Sequence, residues 1–126
     1  MNRLNAITQI RKKLANNIPS IGTWQQIPNT SISEILGHAG YDWVAIDLEH
    51  GSIGVSQLLD LFRAIELGNT LPLARIAQAH PKDCKRALDA GAGGIIAPMI
   101  ESAEQLSSIR DSSVSYTHLT LPTKRE

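Results

Sequence analysis

One phrase recurs along the chain and constrains the fold more than any other feature: a helix end, one or two glycines, then an apolar run of strand length. It reads "GHAGYDWVAID", "ELGNTLPLAR" and "DAGAGGIIAP". Glycine supplies the left-handed conformation that ends a helix, and a short unbroken apolar run suits a strand covered on both faces. Strand starts near residues 21, 43, 72 and 94 lie about two dozen residues apart, the spacing of consecutive βα units.

The helices between these runs are legible one by one. Ile32, Ile35, Leu36 and Ala39 fall at i, i+3, i+4 and i+7, which predicts one buried face. Ser31 and Glu34 have the spacing of a capping box, and Gly40 stands at the stop. Val55, Leu58, Leu59 and Phe62 repeat the apolar pattern before Gly68; Pro81 starts a helix carrying Cys84, Ala87 and Leu88 and ending at Gly91; Ser102 and Gln105 open a fourth. Upstream, Leu4, Ile7, Ile10 and Leu14 predict an additional amphipathic helix with Arg11, Lys12 and Lys13 near its end.

Two architectures accommodate this order, an open doubly wound sheet and a (β/α)8 barrel. The glycine cluster Gly91, Gly93 and Gly94 precedes a strand, whereas a phosphate cradle of the doubly wound type follows one. The expected fold is therefore α/β, the first four βα units of a (β/α)8 TIM barrel behind an N-terminal helix. A whole barrel takes about 250 residues, so the chain of 126 residues corresponds to its front half.

The stretch "VSYTHLTLPTKRE" (residues 114–126) loses the helical period. Read back into codons, VSYTHLTLPT resembles a transposase-end adaptor used to build sequencing libraries. Residues 1–113 are accordingly expected to form the barrel segment and 114–126 a non-native tail, so Tyr116 and His118 carry no functional expectation.

The chain has twelve basic and twelve acidic residues, 42% hydrophobic residues and five aromatic ones. Without the tail the balance is ten to eleven. No basic stripe marks a nucleic-acid or anionic-membrane partner, and small solutes become the expected ligands. The lone Cys84 cannot close an internal disulfide, and neither a signal-peptide core nor a membrane-length apolar run is present. The cytoplasm is the expected compartment.

In a parallel α/β sheet the ligand sits at the carboxyl ends of the strands. Strand one ends in Thr23, Trp24, Gln25 and Gln26, strand two in Asp47, Glu49 and His50, strand three in Arg75, and strand four in Pro98 and Met99. Each also has a plainer role. A strand-end Asp caps turns, an Arg pairs with a surface carboxylate, and a Trp fills a core. By position Asp89 is a solvated helix residue, His38 and His80 are surface or helix-end residues, and Cys84 is a small core hydrophobe.

The ordered set "GTWQQIPNTSISEILGHAGYDWVAIDLEHG", "LPLARI" and "RALDAGAGGIIAPMIESAEQ" resembles the N-terminal half of the metal-dependent, pyruvate-specific aldolases of the HpcH/HpaI family. That family includes 4-hydroxy-2-oxoheptanedioate and 2-dehydro-3-deoxyglucarate aldolases. The resemblance runs from about Ile21 to Gln105 and implies cleavage of 4-hydroxy-2-oxo acids to pyruvate and an aldehyde. It implies His50 as acid/base, Asp89 as its dyad partner, and Arg75 on the pyruvate oxygen. Asp47 and Glu49 would support the site from behind, and Trp24 would wall the pocket.

The resemblance further implies a divalent metal, Mg2+, Mn2+ or Co2+, that acts as Lewis acid on the developing enolate. Its direct Glu and Asp ligands belong to the family's fifth and sixth strands, so no metal ligand, no bound metal and no activity are expected of these residues alone. A Schiff-base lysine is not required, and Lys12, Lys13, Lys82 and Lys85 all lie off the strand ends. The partner is expected to be a small 2-oxo acid, without nucleic acid or membrane, and the whole protein a homo-oligomer. Two other readings stay open: a citrate-lyase-type acyl-CoA lyase or phosphoenolpyruvate-using barrel, and a non-catalytic half-barrel that associates through its sheet edge.

Overall fold

A computed structural model describes the backbone of residues 2–117 and the side chains of residues 2–113. Helix α1 (Arg3–Ala15) precedes four strand–helix units: β1 (Gly22–Gln25) and α2 (Thr30–His38), β2 (Trp43–Asp47) and α3 (Leu58–Glu66), β3 (Leu71–Arg75) and α4 (Pro81–Asp89), β4 (Ile95–Ile96) and α5 (Ala103–Thr117). A 3-10 turn (Val55–Gln57) leads into α3. All neighbouring strands are parallel, in the order β1-β2-β3-β4. A doubly wound sheet reverses direction at a switch point; an unbroken sequential order is that of a (β/α)8 barrel wall. The fold is thus the expected four βα units behind an N-terminal helix.

The register sorts the strand residues into two faces. Trp43 pairs with Leu71, Ala45 with Leu73 and Asp47 with Arg75, while Trp24 stands beside Ala45; these share the face away from the helices. The opposite face sends Val44, Ile46 and Ala74 into a core with Leu58, Leu61, Phe62 and Ile65 of α3, Cys84 and Ala87 of α4, and Ile109 of α5. Each large apolar side chain removed from water there contributes roughly 1.5–3 kcal/mol. Cys84, fully buried, is the core residue its helical position implied. Strand β4 is short and half-buried, since among the described residues it pairs with β3 alone.

The helix ends depart from the sequence reading in one respect. Asn29, not Ser31, caps α2: its side chain accepts from the backbone N–H groups of Ser31 and Ile32 at 2.9 and 3.2 Å. Ser102 and Gln105 do open α5, the Ser102 hydroxyl accepting from the Gln105 N–H and the Gln105 side chain from the Glu101 N–H. His80 caps α4, with Pro81 next to it.

The buried faces are rotated from those that periodicity predicts. In α2 the fully buried residues are Ser33 and Gly37, whereas Ile35 and Ala39 face outward. In the second unit Val55 and Leu59 are exposed, and Leu61, Ala64 and Ile65 take the inner positions. The cause is the close approach of α2 to α3: a Cβ on Gly37 would overlap the Ile65 carbonyl oxygen, and one on Gly68 the Gly37 carbonyl. Small residues, rather than large apolar ones, meet there.

Helix α1 buries no residue completely. It is held by charged groups at both ends, Arg3 bonding Glu66 and the Gly91 carbonyl and Lys13 bonding Asp42 at 2.6 Å. Helix α5 continues to Thr117, four residues into the stretch expected to be non-native; the rest of that stretch, His118 included, lies outside the described residues. No described helix is long and apolar enough to cross a membrane.

Candidate active site at the carboxyl ends of the strands

Asp47 and Arg75 are the last residues of neighbouring parallel strands and stand in register, so their side chains leave the same face at the same height. Arg75 donates from Nε to Asp47 Oδ1 at 3.1 Å and from Nη2 to Oδ2 at 2.5 Å, the two-pronged geometry that suits a guanidinium to a carboxylate. Asp47 also accepts from the Gln26 side-chain nitrogen at 2.9 Å and from the backbone N–H groups of Glu49 and His50 at 3.0 Å. Those backbone bonds make the turn "DLEH" an Asx turn, which answers why an acidic residue stands where the buried strand surfaces.

Asp47 is fully buried. Burial alone pushes its carboxyl up, but the Arg75 guanidinium, the His50 N–H, the Gln26 amide and the Glu49 N–H outweigh it and hold it far below the usual carboxylate range. Arg75 is correspondingly raised by its hydrogen bond to Asp47, against a smaller effect of burial, with the charges of Asp47 and Glu49 adding to the rise.

Above this pair the rim opens. The Arg75 guanidinium lies 4.4 Å over the Trp24 ring, and Trp24 meets Trp43 edge to face at 6.0 Å. Trp24 is 43% exposed, so it is a wall and not a core residue. Trp24, Gln26, Ile27 and Arg75 line an open cleft of about 430 Å³. A guanidinium has five N–H donors; Asp47 takes two of them, so three remain for a ligand.

Glu49 lies between the imidazole and the guanidinium of the rim, with Oε1 3.3 Å from His50 Nε2 and 3.5 Å from Arg75 Nε. The His50 side chain is 65% exposed. Five of the six expected site residues, Trp24, Asp47, Glu49, His50 and Arg75, are thus brought together. Asp89 is not. It ends α4, which runs back from the rim to the end of the sheet where β4 begins, beside Gly91 and its bond from Arg3. Within this chain the carboxylate at the His50 ring is therefore Glu49. Gln26, named at a strand end but given no role by the sequence, joins the cluster through Asp47.

The described residues do not suit a divalent ion. No three of their His, Cys, Asp and Glu side chains converge to hold one, and both Asp47 oxygens are committed to N–H donors. Pro98 and Met99 follow β4, Met99 exposed and with a positive φ of 51°. His38 is exposed and His80 is engaged as a cap, in line with their expected plain roles.

A parallel sheet in the sequential order of a barrel wall carries an oriented guanidinium, an imidazole and an indole at its strand ends, the face on which (β/α)8 folds place their sites. The particular family follows from sequence: the HpcH/HpaI aldolase/citrate lyase family matches residues 20–118, and the chain belongs to it. It is 39% identical over 85 residues to a 2-dehydro-3,6-dideoxy-6-sulfogluconate aldolase of Pseudomonas putida, covering 68% of this chain and 33% of that protein. A hydroxypyruvate/pyruvate aldolase of Rhizorhabdus wittichii is 38% identical over 91 residues, 72% of this chain and 36% of the relative. The crystal structure of an HpcH/HpaI aldolase/citrate lyase family protein from Burkholderia cenocepacia superposes with a TM-score of 0.72 at 30% identity, over 82% of this chain and 42% of that one. The chain spans about a third of the length of these two curated relatives.

Proposed function

We propose that the whole protein carrying this chain is a carbon–carbon lyase that cleaves a 4-hydroxy-2-oxo acid to pyruvate and an aldehyde, with the rim as part of its active site. Family membership and the aldolases among its relatives support this, and one observation carries it. Arg75 is fixed on one edge by Asp47 and on its face by Trp24, with its remaining donors free for a ligand in the cleft. Breaking the bond between C3 and C4 leaves an electron pair that delocalises onto the keto oxygen as an enolate. A guanidinium oriented before the ligand arrives stabilises that oxygen without reorganising.

His50 removes the proton of the 4-hydroxyl as the bond breaks, and the imidazole then returns a proton to C3, which releases pyruvate and restores the base. Within this chain Glu49 is the carboxylate that orients the imidazole. Asp47 holds Arg75, and Trp24 walls the three-carbon end. A divalent ion, Mg2+, Mn2+ or Co2+ as the resemblance implies, would supply Lewis acidity when bound.

The test is pyruvate release by the whole protein, coupled to its reduction. Arg75→Ala and His50→Ala should each lower kcat/KM by about a hundredfold. Turnover within a few-fold of wild type in either variant refutes the role given to that residue.

A further inference from the structure

Gln26 lines the cleft beside Arg75, and its amide has only one way to face. Asp47 is an ionised carboxylate clamped by Arg75, and an ionised carboxylate only accepts hydrogen bonds. The Gln26 atom 2.9 Å from Asp47 Oδ2 is therefore the amide nitrogen. That bond pins the side chain and turns the carbonyl oxygen away from Asp47. Oε1 accepts no hydrogen bond among the described residues, on a side chain that is itself exposed. The cleft thus sets one neutral acceptor beside the donors of Arg75, over apolar walls from Trp24 and Ile27.

We propose that Gln26 Oε1 is a specificity-determining acceptor for a hydroxyl group of the substrate, next to the oxygens that Arg75 takes. The inference rests on the lyase reading and names its substrate class: a 2-oxo acid and aldehyde pair in which one partner carries a hydroxyl beside its carbonyl. Pyruvate and acetaldehyde offer no donor there. Hydroxypyruvate offers one on the acid, and glycolaldehyde one on the aldehyde. Without the hydroxyl, Oε1 is left to water; with it, a hydrogen bond forms that favours the hydroxylated partner over the deoxy one.

The four pairings of pyruvate or hydroxypyruvate with acetaldehyde or glycolaldehyde, run in the condensation direction, test this in the whole protein. Gln26→Met keeps the length and the apolar stem but removes the acceptor. It should lower kcat/KM for the hydroxylated partner by about fivefold to tenfold more than for the deoxy one. A selective loss with hydroxypyruvate puts the hydroxyl on the acid, and one with glycolaldehyde on the aldehyde; either supports the assignment. Equal losses in all four pairings overturn it, since that is the signature of a residue acting only through Asp47.

A binding readout separates the two levels of the reading. Trp24 stacks on Arg75, so ligands in the cleft change its fluorescence. If the wild type neither makes nor breaks a carbon–carbon bond, the lyase reading fails. The acceptor role of Gln26 then stands if Gln26→Met weakens hydroxypyruvate or glycolaldehyde selectively, and falls if it weakens the hydroxyl and deoxy ligands alike.

Discussion

Replacing Asp47 by Asn changes one atom's chemistry and keeps the shape, so it measures what the charge contributes. The Asn oxygen can still accept from the Glu49 and His50 N–H groups, but its NH2 group then faces the Gln26 nitrogen and Arg75 Nη2, donor against donor. Removing one member of a buried ion pair costs about 3–5 kcal/mol. Arg75 is 23% exposed and keeps Glu49 at 3.5 Å, which reduces the expected loss to about 2–3 kcal/mol at pH 7. Denaturant unfolding of the whole protein reads it. The pH dependence gives a second handle. Asp47 lies far below its ordinary value in the folded state, so between that depressed value and an unfolded value of about 3.9 the unfolded chain binds more protons. Its contribution is fully present above about pH 4 and is lost as pH falls below it. The gap between wild type and variant should therefore narrow by about 1 kcal/mol on going from pH 7 to pH 3. A gap under about 0.5 kcal/mol at pH 7, or one that does not change with acid, refutes the claim that the ion pair organises the rim.

Asn29→Ala removes the acceptor for two N–H groups at the start of α2 and should cost about 1 kcal/mol of stability, read as a shift in the unfolding midpoint; no shift refutes its role as the cap. Gly37→Ala should cost about 2 kcal/mol despite alanine's better helix propensity, because the new methyl meets the Ile65 carbonyl and not a movable side chain. A neutral or stabilising effect in a thermal melt counts against the close α2–α3 approach.

What could be read in advance follows the range of the physics involved. Strands β2 and β3 were legible because a run such as "WVAID" is buried by local composition alone, and the glycines that precede the strands mark helix ends by their own backbone needs. The rim followed from one topological rule: side chains at the carboxyl ends of parallel strands share an edge. Trp24, Asp47, Glu49, His50 and Arg75 obey it because each lies at a strand end or in the turn directly after it. The burial of Ser33 and Gly37 in place of Ile35 was not legible, since periodicity finds an apolar stripe but not which part of it meets the sheet and which meets a neighbouring helix. The cap at Asn29 was hidden for a related reason. "NTSISE" holds several residues able to cap, and the choice among them is set by where β1 lets go of the chain.

Asp89 came from a motif and not from the strand-end rule. It ends α4, which returns from the carboxyl end of β3 to the start of β4, so within one chain its last turn lies at the opposite end of the sheet from His50. Glu49 reaches the imidazole because the Asx turn at Asp47 folds the next residues back over the strand end. The same carboxylate therefore has two duties, clamping Arg75 with its oxygens and shaping the turn that brings Glu49 and His50 to the rim. Glu49 could not be moved to a neighbouring strand without losing its reach to both His50 and Arg75, and an Asp at the end of β2 could not be exchanged for Glu without lengthening the turn. The rim is specified by backbone geometry as much as by charge: Asp47, Glu49 and His50 lie within four positions of each other in "DLEH", Arg75 stands directly opposite, and Trp24 and Gln26 reach the same edge from the end of β1.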